Sequence, residues 1–167
     1  RPWLLFLATF WLVSCSGYQL GGRKPSHLSG IETLYVPLAQ NDTLFPRLET
    51  HMTNEMVSAL VQDGTYRVGR LAGADAKLQL RVSKMSYRQI RSNNEDTLRS
   101  EELELEVFVK WTLHDLGSQP RLLDEGMETG RTRFFVDANL QTARRNAVPD
   151  AVQRAAQDIV SRLADGF

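Results

Sequence analysis

The sequence is poor in the residues from which most catalytic and metal sites are built. It contains one cysteine and three histidines in 167 residues. A single cysteine excludes an internal disulfide and any multi-cysteine zinc site. Neither sign of charge is in excess, since 20 Lys and Arg balance 20 Asp and Glu. This balance argues against a nucleic-acid partner bound through bulk positive charge, and any anion site has to be local.

Recognisable catalytic motifs are also lacking. The sequence has no Walker loop, no Gly-x-Gly-x-x-Gly and no His-Glu-x-x-His. His114 and Asp115 supply two members of a hydrolase triad, but no Gly-x-Ser-x-Gly elbow supplies the nucleophile. Three alternating carboxylates could supply a glycosidase pair, but a solvent-facing stripe on a strand explains them more simply: Glu102, Glu104 and Glu106. We therefore expect no enzyme, no metal site and no cofactor.

The one long apolar run stands at the start of the sequence. Residues 2–14 carry no charge and follow Arg1. The run is too short to span a bilayer as a helix, and it is typical of the apolar region of a secretory signal. Because the sequence does not begin with Met, we expect the true start a few residues upstream. Residues 1–14 are predicted to be a signal peptide whose basic region is truncated.

The end of this run, Leu12-Val13-Ser14-Cys15, resembles a bacterial lipobox. In that motif the cysteine is acylated and becomes the mature N-terminus, and several acyl chains together give a lasting membrane anchor. An ordinary signal before a lone cysteine is the alternative, but an unpaired cysteine is unusual in an exported protein. Ser16 stands where Asp would resemble an inner-membrane retention signal. We therefore expect lipid attachment at Cys15 and an outer-membrane location.

Residues 15–28 are rich in Gly, Ser and Pro and predict a flexible tether. Residues 29–167 are predicted to form one α+β domain. Apolar residues at four-residue steps indicate a helix, and strict alternation indicates the clearest strand. The predicted elements are a strand over 31–37, a turn at 41–43, a helix over 45–62, strands over 66–71, 77–90, 101–114 and 122–136, and a helix from about residue 140.

Two local features modify these elements. The apolar phase shifts near Ser83 and Lys84, which predicts a β-bulge. Pro149 either kinks the last helix or lies in its first turn. The element order predicts two α-helices packed on one face of a mostly antiparallel sheet of roughly four to five strands, a two-layer sandwich.

The lipobox is followed at once by Gly17-Tyr18-Gln19-Leu20, and the chain then has an Asn41 turn, this order of elements and a final Ser161-Arg162-Leu163. Over essentially its whole length it resembles the lipopolysaccharide-assembly lipoprotein family, LptE. The resemblance implies a lipoprotein on the periplasmic side of the outer membrane. Such a protein plugs and helps to assemble the large β-barrel LptD, and it binds lipopolysaccharide during export. The alternative is another periplasm-facing lipoprotein: a scaffold, a pilotin or a peptidoglycan-binding module.

A protein that binds lipid A needs cations for the lipid phosphates, and arginine suits this role. The richest cluster consists of Lys84, Arg88, Arg91 and Arg99, at the end of the strand over 77–90 and in the loop after it. Lys84 and Arg88 share side-chain parity, so both can project from one sheet face. The alternative to a phosphate site is an ordinary ion-paired sheet face, in which nearby carboxylates neutralise the cluster as cross-strand partners: Glu95, Asp96, Glu101 and Glu102. A second, weaker set comprises Arg131, Arg133, Arg144 and Arg145.

Overall fold

The computed structural model describes residues 24–91, 101–136 and 139–166. Cys15, the motif at 17–20, Arg99 and the side chain of Arg91 lie outside the described parts. Along the chain a 3-10 turn at Ser26–Leu28 is followed by β1 (Thr33–Tyr35), β2 (Gln40–Asn41), α1 (Leu48–Asp63), β3 (Arg67–Val68), β4 (Ala76–Arg91), β5 (Glu101–Asp115), β6 (Leu122–Val136) and α2 (Leu140–Asp165).

One sheet contains all six strands, in the order β3-β1-β4-β5-β6, with β2 also paired to β4. The three long strands β4, β5 and β6 are antiparallel. The short strands β1, β2 and β3 pair in parallel. The predicted α+β class and two-layer design are confirmed, but the sheet is mixed and has six strands. The added strand is β2, where only a turn was predicted, because two residues carry no detectable period.

The bulge in β4 is confirmed. The register with β5 shifts between Val82 and Lys84, so that Ser83 is the extra residue. Val82 faces the core before the bulge, and Met85 and Tyr87 continue on the same side after it. The bulge therefore lets one strand keep its apolar side against the helices despite the change of phase in the sequence.

Both helices pack on one face of the sheet, α2 against β5 and β6 and α1 against α2 and β4. The Asn139 side chain caps α2 by accepting a hydrogen bond from the Thr142 amide at 3.1 Å. Pro149 lies inside α2, so the helix extends back to Leu140 as its periodicity indicated. No helix in the described ranges is long and apolar enough to cross a membrane.

The core includes one residue of the predicted tether. Leu28, which the sequence analysis placed at the end of the tether, is 0% exposed and belongs to the core. Nearby, the Lys24 ammonium lies 4.4 Å from the centre of the Tyr66 ring. The Tyr66 hydroxyl donates a hydrogen bond to the Leu163 carbonyl oxygen at 2.7 Å, which joins the chain after α1 to the end of α2.

Candidate ligand-binding surface

The face of the sheet opposite the helices carries the charged residues of interest, and we call it the open face. On β5 the core side is lined by Leu105, Val107 and Val109, so the alternating residues Glu104, Glu106 and Phe108 point to the open face. Lys84 pairs with Phe108 and Arg88 with Glu104. The structure therefore places Lys84 and Arg88 on one face, as their parity indicated.

Arg88 forms an ion pair and a hydrogen bond with Glu104 on the neighbouring strand. From the other side, Arg133 Nε donates to Glu104 Oε1 at 3.1 Å. Glu104 itself is only 4% exposed, whereas the Arg88 side chain is 63% exposed. The three residues form a row across β4, β5 and β6 in which one covered carboxylate holds two outward-facing guanidiniums.

The next row along the sheet is built in the same way. Arg131 Nε donates to Glu106 Oε1 at 3.0 Å, and the Ser86 hydroxyl donates to Glu106 Oε2 at 3.3 Å. The two rows together hold three guanidiniums on two carboxylates. Within these two rows the guanidiniums therefore outnumber the carboxylates by one.

These rows correct part of the sequence interpretation. Glu104 is not a member of a solvated stripe, because flanking arginines cover it. The paired-face alternative holds for Arg88, but its partner is Glu104 and none of the carboxylates proposed for that role. Glu95 and Asp96 lie outside the described residues, as does the side chain of Glu101. The sequence carries no signal that singles out Glu104, because its place opposite two arginines depends on the strand register.

Ion pairing also changes the acidity of Glu104. Its hydrogen bonds with Arg88 and then Arg133 hold the pKa of the carboxyl below its ordinary value, although burial opposes them. The carboxylate form is therefore favoured in the folded protein. The hydrogen bond with Glu104 likewise raises the pKa of Arg88. Both shifts keep the row ionised.

Lys84 differs from Arg88 in its surroundings. Its ammonium lies 5.6 Å from the centre of the Phe108 ring, a cation–π contact across the strand pair. Among the described residues no carboxylate forms an ion pair with it, and its side chain is exposed. Of the predicted cluster, Lys84 is thus the described cation most available to an external anion.

The second arginine set is split between the two sides of the sheet. Arg131 and Arg133 belong to the open-face rows. Arg144 lies on α2, on the helix side, with its guanidinium carbon 4.6 Å from the centre of the Tyr87 ring. Arg145 lines the same cleft as Arg144. The four residues therefore do not form one site.

The residues considered for catalysis do not assemble. His114 Nε2 contacts the Thr112 hydroxyl at 3.2 Å, while Asp115 accepts from the Gly117 amide at 2.8 Å. His51 lies on α1 and lines the cleft beside Arg144. Across residues 24–91, 101–136 and 139–166, no three side chains of the metal-ligating types come together. The described surface instead presents rows of charged side chains and clefts, which suit the binding of a charged ligand.

A family model for lipopolysaccharide assembly, LptE, matches residues 31–163. The chain belongs to the LptE family. Its membership confirms the resemblance drawn from the sequence and makes it a lipoprotein of lipopolysaccharide assembly, in a family that is not enzymatic. Family membership also associates it with a membrane and with the partners of lipopolysaccharide transport. No curated protein matches the chain in sequence.

Solved structures share the fold at low sequence identity. A PelC L103M dodecamer from Paraburkholderia phytofirmans is 15% identical with a TM-score of 0.53, covering 86% of this chain and 95% of that chain. Protein XCC0632 from Xanthomonas campestris is 14% identical with a TM-score of 0.55, covering 86% and 90%. The hypothetical protein CT253 from Chlamydia trachomatis is 9% identical with a TM-score of 0.55, covering 79% and 95%. These likenesses concern the fold alone.

Proposed function

We propose that this LptE-family chain is the outer-membrane lipoprotein that plugs the β-barrel LptD, helps to assemble it and binds lipopolysaccharide during export. The family match over residues 31–163 is the observation that carries the proposal. Acylated Cys15 anchors the protein on the periplasmic side of the membrane. The protein acts by binding and has no catalytic turnover.

Surface chemistry supports the plug role. The interior of a large outer-membrane barrel is polar and water-filled. The open face presents ion-paired rows and cation-bearing strands, so it can meet a polar wall without exposing a broad apolar surface. The exposed apolar side chains of β6 are spaced along the strand and are not neighbours in sequence: Leu122, Met127 and Phe135.

The lipid A phosphates are assigned to the cation cluster at the end of β4. Lys84 is exposed and carries no carboxylate partner among the described residues, while Arg88 keeps an outward-facing guanidinium on Glu104. Arg91 and Arg99 complete the proposed cluster from the chain that follows. A phosphate would then approach Lys84 directly and share Arg88 with Glu104, which makes Lys84 the sharper test of the site.

The test is affinity purification of the full-length lipoprotein from its native membrane in mild detergent, followed by mass spectrometry of stoichiometric partners. We expect one large outer-membrane barrel at equal stoichiometry, together with lipopolysaccharide. The matched control is Cys15→Ala, which removes the anchor and should reduce recovery from the membrane fraction. Recovery of cell-wall fragments or a secretion complex in place of a barrel would instead assign the protein to the alternative lipoprotein class.

A further inference from the structure

A cleft of about 580 Å³ lies on the helix side of the sheet, between the loop before α1 and the first half of α2. We call it the arginine cleft. Its polar lining is strongly basic, and its apolar lining includes two aromatic rings. The residues that matter here are Phe45, Arg47, His51, Tyr87, Arg144 and Arg145.

The charge of the cleft is not balanced locally. Three arginines and one histidine line it, and no Asp or Glu does. The carboxylates next to it in sequence are engaged elsewhere. Glu49 accepts from the Asn41 side-chain amide at 3.0 Å, and Asp150 accepts from Arg154 Nε at 3.2 Å. An anion that entered the cleft would therefore meet cations without a competing carboxylate.

Arg144 is held in place by an aromatic ring and not by an acid. Its guanidinium carbon lies 4.6 Å from the centre of the Tyr87 ring. Its Nε is buried and finds no hydrogen-bond acceptor in the described part of the chain. This contact positions the guanidinium against the ring, and none of the ion pairs among the described residues involves it.

Arg47 enters the cleft from a strained backbone position. It is the N-cap of α1, its φ is 63°, and its side chain makes no capping hydrogen bond. Such a conformation is unfavourable for a residue with a side chain. The N-terminus of α1 also contributes partial positive charge to this wall. Helix capping thus does not account for an arginine at this position.

We propose that the arginine cleft binds a phosphomonoester, with the guanidiniums of Arg47, Arg144 and Arg145 around the phosphate. The apolar lining from Phe45 and Tyr87 would contact the organic group attached to it. A phosphomonoester is favoured over a carboxylate because it carries up to two charges and three terminal oxygens, which matches several guanidiniums. The site is separate from the cation cluster at Lys84 and Arg88 and does not depend on it.

The test is isothermal titration of the full-length protein with inorganic phosphate, glucose 6-phosphate and glucose. A parallel arm uses sedimentation with phosphatidylcholine vesicles, with and without phosphatidic acid. Saturable binding of glucose 6-phosphate, but not glucose, supports a soluble phosphomonoester. Binding confined to phosphatidic acid vesicles supports a lipid headgroup as the source of the same chemistry. Failure of every phosphate probe to bind saturably overturns the proposal.

The variant set keeps the result independent of folding. The double variant Arg47→Glu and Arg145→Glu should weaken phosphate-ester binding at least tenfold. Arg145→Gln alone, at an exposed position, should weaken it less and covers the case in which the double variant fails to fold. Arg70→Glu reverses the charge of one exposed arginine beside β3, outside the cleft, and should leave binding unchanged. Equal loss in Arg70→Glu, or unaltered affinity in both cleft variants, contradicts the site.

These outcomes are distinct from those that test the proposed function. If no barrel partner is recovered in the purification, the proposed function fails, but phosphate-ester binding to the arginine cleft can still be measured on its own. Conversely, a cleft that binds no phosphate leaves the LptE-family assignment unaffected, because that assignment rests on residues 31–163 as a whole.

Discussion

Gly130 of β6 lies directly against Ala151 of α2. A Cβ atom built on Gly130 would stand 1.8 Å from the Ala151 carbonyl oxygen and 2.7 Å from the Ala155 backbone nitrogen. The helix therefore approaches the sheet more closely than any other residue at this position would permit. Small residues on both sides bring the backbones of α2 and β6 into contact.

Gly130→Ala is expected to destabilise the domain by more than about 2 kcal/mol, because relieving the overlap requires α2 to move away from the sheet. Urea unfolding followed by circular dichroism measures the change. Gly30→Ala is the matched control, since a Cβ at Gly30 meets nothing within 4 Å. Equal stability of Gly130→Ala and the native protein would show that α2 does not sit this close to β6.

Glu104 should make stability depend on acid pH. Because its folded pKa is lowered, its carboxylate contributes stability that is fully present above the unfolded pKa and is lost as the pH falls through the folded pKa. Glu104→Gln should destabilise the protein at neutral pH and flatten the acid limb of the stability curve. The measurement is the free energy of unfolding at a series of pH values.

The control for Glu104 is Glu125→Gln, which changes an exposed glutamate of β6 that also lies on the open face. That variant should keep the acid limb of the native protein. An acid limb that is equally steep in Glu104→Gln and the native protein would contradict the role assigned to the row of Arg88, Glu104 and Arg133.

Tyr66→Phe removes the hydroxyl that donates to the Leu163 carbonyl oxygen at the end of α2. The variant should cost about 1 to 2 kcal/mol, because a buried acceptor loses its partner while the ring stays packed. Chemical denaturation measures the loss. Tyr35→Phe, whose hydroxyl makes no hydrogen bond among the described residues, should be close to neutral. A neutral Tyr66→Phe would mean that the hydroxyl is not needed there.

Lys84→Glu should weaken lipopolysaccharide binding about tenfold, since it replaces an exposed cation of the proposed site with a repelling charge. Fluorescence anisotropy with labelled lipopolysaccharide measures the affinity. Lys77→Glu, on the same strand and face but at its other end, is the control that should bind normally. An unchanged Lys84→Glu affinity would remove Lys84 from the site.

Charge reversal at Arg88 is a poorer test of the same site. It would place a second carboxylate against Glu104, which is 4% exposed, and leave only Arg133 to balance both. Reversing the charge of both Arg88 and Arg91 is therefore expected to lower the free energy of unfolding as well as the affinity for lipopolysaccharide, so a loss of binding in that variant would not by itself identify the site. Arg88→Gln avoids the added charge and is the preferred companion to Lys84→Glu.

The long elements were predictable because their periods are strong. The strict alternation of β5 and the four-residue apolar steps of α1 indicated a strand and a helix at nearly their observed bounds. The bulge at Ser83 was predictable as well, since it shifts the phase of an otherwise regular strand. β2 was missed because Gln40 and Asn41 form a strand only by pairing with Arg81 and Val82.

The candidate binding residues were predicted only in part. The sequence shows that Lys84 and Arg88 share a face, but it does not show that Glu104 lies opposite Arg88, because strand register sets that pairing. The sequence does not single out Arg47, since nothing in its neighbourhood distinguishes it from other surface arginines. It joins Arg144 only because α1 packs beside α2, far along the chain.

By itself, the sequence determined the α+β class, the bulge and the family, because each depends on residues that are neighbours in the chain or on their order. The tertiary structure decided which cations are paired and which line a common cleft. Ion pairing depends on distances of a few ångströms between side chains on different elements. Strand register and helix packing set those distances, and residues such as Arg47 and Arg145 line one cleft only because the two helices pack together.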